Sequence, residues 1–104
     1  MKRIVLFCAA GMSTGILVNN MKKAAEAEGK EFSINAYSLS EVDTFAPDAD
    51  VILVGPQVRY ALSSIQEKFP EKPIEAIDIQ AYGMMKGDVV LKRAIELMGE
   101  EEES

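Results

Sequence analysis

Histidine is absent from this 104-residue chain, and cysteine occurs once. Without histidine there is no Ser-His or Cys-His catalysis, and no usual side chain to carry a transferable phosphoryl group. A single cysteine cannot close an internal disulfide, and without a CxxC pair nothing suggests a zinc site or a dithiol redox centre. That cysteine usage fits a reducing cytosol, so the chain is expected to be cytoplasmic. No apolar run approaches the roughly 18 residues of a membrane span, and the stretch after Met1-Lys2-Arg3 is too short for a signal peptide, so no membrane insertion is expected. The net charge of −6 speaks against nucleic-acid binding, which rests on clustered lysine and arginine. With no P-loop lysine motif, dinucleotide fingerprint or metal-ligand cluster, no metal and no cofactor is implied.

The length and the 48% hydrophobic content fit one domain with one core. Charge is unevenly spread. Met1 to Ala25 contains no acidic residue while Lys2, Arg3, Lys22 and Lys23 give it +4, which leaves −10 for the remainder. This basic segment holds the most informative feature. Ile4-Val5-Leu6-Phe7 ends at Cys8, and Ala9-Ala10-Gly11-Met12-Ser13-Thr14-Gly15 leads into a helical pattern. A small-residue loop at a helix start can turn its N–H groups inward around an anion, and the helix N-terminus adds about half a positive charge. The combination suits a thiolate or a phosphate. The same absence of acids also fits a buried strand and loop with no place for them.

Strand-like apolar runs alternate with helical patterns, the sign of βαβ units and a parallel sheet. Strands are predicted near Arg3–Phe7, Phe32–Tyr37, Val51–Val54 and Ile74–Ile77. Helices are predicted at Ser13–Glu28, Arg59–Phe69 and Asp88–Met98, the first burying Ile16, Leu17, Met21, Ala24 and Ala25 and stopping at Gly29. Ser40 to Phe45 is ambiguous, with Ser40 a plausible cap for a short helix. Right-handed crossovers then give an α/β fold: an open four-stranded parallel sheet in order 2-1-3-4 with helices on both faces. The ligand site of such a sheet lies beyond the carboxyl ends of its strands, where Cys8 to Gly15, Gly55 to Gln57 and Asp78 to Gly83 should converge.

Each candidate has more than one reading. Cys8 is either the nucleophile or a buried core thiol. Gly11 and Gly15 curl the chain around an anion, or only turn it, and Ser13 binds phosphate or only caps. Gln57 orients a phosphoryl group or follows a strand stop. Asp78 would repel phosphate if it pointed inward, so a turn or cap role suits it. Tyr82 shields the loop, marks a docking surface or is a half-buried aromatic. Arg59 reaches phosphate or lies on a solvated helix face, and Met12, Met84 and Met85 form an apolar collar or fill core.

A cysteine followed by five residues and an arginine serves low-molecular-weight tyrosine phosphatases, where the arginine clamps the phosphoryl group. Thr14 occupies that sixth position after Cys8, and no Asp-Pro loop supplies an acid. The segment is a phosphatase-like phosphate loop without its hydrolytic parts, which favours a stored thiophosphate over hydrolysis. Cys8-Ala9-Ala10-Gly11-Met12-Ser13-Thr14, with Gly55-Pro56-Gln57 and Asp78-Ile79-Gln80-Ala81-Tyr82-Gly83, resembles the IIB subunit of the bacterial phosphoenolpyruvate-dependent sugar phosphotransferase system, lactose/cellobiose/chitobiose class. The resemblance implies a IIB-like domain over residues 1–99 and an acidic disordered tail at 100–104.

It also implies a phosphotransferase in which Cys8 accepts a phosphoryl group from a phosphohistidine on a IIA subunit. Cys8 then passes it to a sugar of the cellobiose, chitobiose or lactose type held by a membrane IIC subunit. Ala9, Ala10, Gly11, Met12, Ser13, Thr14 and Gly15 would bind the phosphate, with Gln57, Tyr82 and Gly83 in secondary roles. Gly15 stands where the family often carries serine or another residue, so a hydroxyl contact to phosphate is not expected there and a backbone N–H remains. Two alternatives are a phosphatase- or arsenate-reductase-like enzyme and a regulatory domain that binds IIA without passing phosphate on.

Overall fold

The structure, a computed structural model, describes residues 1–9 and 11–99, with 11–13 described by their backbone only. Four strands, β1 (Lys2–Cys8), β2 (Phe32–Ser38), β3 (Val51–Val54) and β4 (Ile74–Ala76), pair in parallel in the order β2-β1-β3-β4, as the alternation of patterns predicts. β1 and β3 are central, and their apolar runs are buried on both faces. Their side chains divide by the period of two. Ile4, Leu6 and Leu53 face a core shared with α1 (Gly11–Ala27) and α5 (Gly87–Met98). Val5, Phe7 and Val54 face a second core closed by α2 (Val42–Phe45) and α3 (Leu62–Lys68). Helices therefore cover both faces.

The expected elements are present with four shifts. α1 begins at Gly11 rather than Ser13, since a glycine at the first position has no intrahelical N–H partner to lose. Ile16 points to solvent, while Thr14, Leu17, Val18, Met21 and Ala25 form the buried face, a stripe rotated by one residue. Ser38, not Ser40, begins the turn after β2: its backbone N–H and hydroxyl donate to Glu41 Oε2 at 3.4 and 3.1 Å. Residues Pro56–Ala61 form a 3₁₀ stretch before α3, so the regular helix starts at Leu62 rather than Arg59.

A fifth helix, α4 (Ile79–Gly83), occupies the segment expected to be loop. Asp78 caps it, accepting from the Ala81 N–H at 3.0 Å, in agreement with the cap role read for this residue. α1 and α5 cross with almost no space between them. A Cβ on Gly87 would lie 2.6 Å from Asn20 Cβ, and closer still to the Asn20 carbonyl carbon and the Met21 nitrogen. The expected acidic tail at 100–104 lies outside the described residues.

Candidate functional site

Two backbone bonds bring the carboxyl ends of the central strands together. The Gly55 N–H donates to the Phe7 carbonyl at 2.8 Å, and the Ile77 N–H to the Val54 carbonyl at 2.8 Å. Cys8, Gly55 and Asp78 thus leave the sheet side by side, in the three segments predicted to converge. Cys8 ends β1 on the α1 side of the sheet, at 3% exposure. Glycine at position 55 allows a close approach: an added Cβ would sit 3.2 Å from Cys8 Cβ and 3.2 Å from Gln57 Oε1, tighter than ordinary contact. Gln57 therefore folds back over Gly55 towards the cysteine.

The sulfur receives a polar chain from two other elements. Thr14, in the first turn of α1 and 1% exposed, donates from Oγ1 to Cys8 Sγ at 2.9 Å. The Tyr82 hydroxyl, from α4, lies 3.0 Å from the same Thr14 oxygen. A threonine hydroxyl has one proton. Once that proton is directed at sulfur, Tyr82 must donate to Thr14, and the polarity runs Tyr82 to Thr14 to Cys8. A deprotonated sulfur enforces that polarity, because it can only accept. In a buried site a donor chain of this kind stabilises charge on sulfur more than water-exposed hydroxyls would.

Gly11, Met12, Ser13, Thr14 and Gly15 are the first five residues of α1, so only Ala9 and Ala10 separate the helix from β1. The N–H groups available to an anion are those of the helix's first turn, aligned with its positive end. Ala10 and the side chains of Met12 and Ser13 lie outside the described residues. Ala9 is exposed, and Gly15, also exposed, borders an open groove of about 640 Å³ that reaches Cys8 and continues past Ile16 and Asn19 to Ser38 and Glu41. Among the described residues, this groove opens onto the cysteine.

The other candidates separate. Tyr82 is 6% exposed and joins the polar chain, more buried than a docking aromatic would be. Gly83 is exposed at the end of α4, with open space around it. Arg59 is exposed in a different hollow, beside Pro56 and Asp78. Met85 packs on the core, whereas Met84 is 66% exposed. Sequence reasoning missed the contact between Gly55 and Cys8, for which Gly-Pro after an apolar run signals only a strand stop. Among the described residues no group of three or more histidine, cysteine, aspartate or glutamate side chains is placed to hold a metal. No helix among them is long and apolar enough to cross a membrane.

Known proteins are similar to this chain in sequence and in fold. The model of the family described as PTS system, Lactose/Cellobiose specific IIB subunit, matches residues 3–93. A PTS system galactose-specific EIIB component of Lactococcus lactis subsp. cremoris (strain MG1363) is 44% identical over 104 residues, covering 93% of this chain and 96% of that protein. A cellobiose-specific EIIB component of Lactococcus lactis subsp. lactis (strain IL1403) is equally similar, at 44% over 104 residues with the same coverage. The solution structure of a cellobiose-specific phosphotransferase IIB component from Borrelia burgdorferi superposes with a TM-score of 0.80 at 34% identity, covering 95% of this chain and 93% of that one. Sequence, fold and length agree, and the chain belongs to the lactose/cellobiose-specific IIB family of the sugar phosphotransferase system.

Proposed function

We propose that this chain is a cytoplasmic phosphocarrier in which Cys8 holds the phosphoryl group as a thiophosphate between a IIA donor and a sugar bound by a membrane IIC subunit. The observation that carries this reading is the Thr14 hydroxyl donating to the Cys8 sulfur, with Tyr82 behind it. In the first step the Cys8 thiolate attacks the phosphorus of a phosphohistidine on IIA. The S–P bond forms as the P–N bond breaks, and the imidazole leaves with the electron pair. In the second step a sugar hydroxyl attacks the same phosphorus, the S–P bond breaks, the thiolate is regenerated, and the hydroxyl proton passes to solvent. Phosphoryl transfer of this kind is mostly positioning and charge stabilisation.

The segment from Ala9 to Gly15 would cradle the phosphoryl oxygens with first-turn N–H groups, and Gln57, folded over Gly55, would help to orient the phosphoryl group. Gly83 would act only through the turn after Tyr82. The basic residues of the first 25 positions, free of acids, favour approach of a phosphorylated partner. Thr14 in place of a clamping arginine leaves nothing to drive hydrolysis, which disfavours a phosphatase. The relatives equally similar to this chain are named for galactose and for cellobiose, which supports a sugar acceptor; the acceptor of this proposal is a β-linked disaccharide of the cellobiose, chitobiose or lactose type. Residues 1–99 carry this function, and 100–104 are an acidic appendage to it.

Intact-mass analysis tests the reading. After incubation with phosphoenolpyruvate, the general phosphocarrier proteins and a cognate IIA, the native chain should gain one phosphoryl group, about 80 Da, and Cys8→Ser, still folded, should gain none. A folded Cys8→Ser that is phosphorylated and passes the group to sugar would overturn it.

A further inference from the structure

α4 is five residues long, too short to be stable by its own hydrogen bonds, yet it presents the Tyr82 hydroxyl to Thr14. Something must hold it against α1. At its amino end Asp78 caps it. At its carboxyl end the chain turns through Met85, a non-glycine residue at φ 53°, in the left-handed region that side chains disfavour. The Met85 carbonyl accepts two bonds there, from the Asn20 side-chain amide at 2.8 Å and from the Gly87 N–H at 3.0 Å. Asn20 is on α1, six residues after Thr14, about 9 Å further along the axis at ~1.5 Å per residue. The two helices are therefore pinned at two points, Thr14 to Tyr82 and Asn20 to Met85. The bare backbone of Gly87 lets the second point close, because it rests against Asn20 itself.

We infer that Asn20 is a positioning residue for Cys8: its amide holds the Met85 turn, and so holds the Tyr82 hydroxyl on Thr14. The inference deepens the carrier reading and rests on it for its effect on transfer, but the latch itself has an independent readout. Hydrogen exchange reads the latch. In Asn20→Ala the amides of Tyr82, Met84 and Met85 should exchange about tenfold faster, with those of β1 and β3 unchanged. Asn20→Asp, of the same shape without the donor, should behave alike. Transfer from phosphorylated IIA to Cys8 reads the consequence. Asn20→Ala and Tyr82→Phe should each slow it roughly fivefold, the factor expected for one hydrogen bond. The double variant should be no slower than Tyr82→Phe, because both changes remove the same aim.

Exchange in Asn20→Ala and Asn20→Asp within about twofold of native would overturn the latch, whatever happens to transfer. Multiplying effects in the double variant would overturn its action through Tyr82. If exchange responds as stated but the native chain accepts no phosphoryl group, the carrier reading falls and the latch on α4 stands.

Discussion

Gly87→Ala introduces one methyl group where α5 meets α1, and its effect can be worked from the spacing. The new Cβ would sit 2.6 Å from Asn20 Cβ and nearer to two backbone atoms of α1, whereas carbon atoms prefer about 3.5–4.0 Å. Backbone cannot rotate away, so α5 must withdraw by roughly 1 Å, loosening the packing of Val90 and Leu91 against Leu17 and Met21. Overpacking of a close-packed core costs about 1–3 kcal/mol, and an unyielding obstacle places this case near the top of that range. Alanine's better helix propensity returns at most ~1 kcal/mol, and less at a first helical position. The net loss is about 2 kcal/mol. With a urea m-value near ~1 kcal/mol/M for a chain of this size, the midpoint should fall by about 2 M, and the melting temperature by roughly 8–10 °C. Gly15→Ala is the matched control. It is helical with open space at its Cβ, so it should gain about 0.5–1 kcal/mol. Midpoints for the two variants within about 0.5 M of each other would refute the packing argument.

Three further outcomes follow from the site and its surroundings. Thr14→Val, near in shape but without the hydroxyl, should slow phosphorylation of Cys8 by about tenfold while Thr14→Ser, which keeps the hydroxyl and loses only the methyl, retains most of the rate; quench-flow transfer from phosphorylated IIA measures this. Gly55→Ala should cost only about 1 kcal/mol in a melt yet slow transfer by roughly tenfold, since the methyl displaces Cys8 by tenths of an ångström; equal rates for variant and native would count against the close approach. Glu75, hydrogen-bonded to Arg93, and then Glu96 hold the guanidinium's pKa well above its ordinary value, but the group is exposed. Arg93→Gln should therefore leave the melting curve near native, and a large drop would refute that judgement.

Most of the sheet was legible because β1 and β3 are buried on both faces and read as unbroken apolar runs bounded by turns. The elements that escaped are those whose stability is not local. α4 has five residues and exposes Ile79 while burying Ala81 and Tyr82, too short a pattern for a helical period to show. Its partners, Thr14 and Asn20, lie 68 and 65 residues away from the groups they bond. Nothing in the sequence ties an asparagine on α1 to a carbonyl that distant. Ser38 was different. The Ser-x-x-Glu spacing of Ser38 and Glu41 carries a capping-box signal that points to it over Ser40. At the site, the thiol and the three converging segments could be read from residue types at strand ends, because the topology of a parallel sheet dictates where its loops meet. The hydroxyl chain could not be read, since it depends on which face of α1 turns inward.

The place of Cys8 at the end of a central strand decides what kind of carrier the proposed function makes of the fold. β1 is laced to β2 through Cys8 and Ser38 and to β3 through Phe7 and Val54, so both ladders resist any excursion of its last residue. A cysteine side chain has a single rotatable bond before its sulfur, and here the sulfur is held by a neighbouring hydroxyl. There is no swinging arm. On the proposed function, a phosphoryl group on this atom reaches a second protein only if the domain lets go of the first and docks again with the same face. Passage from donor to acceptor is then a re-docking of the domain, and the brevity of each encounter sets how fast the cargo moves.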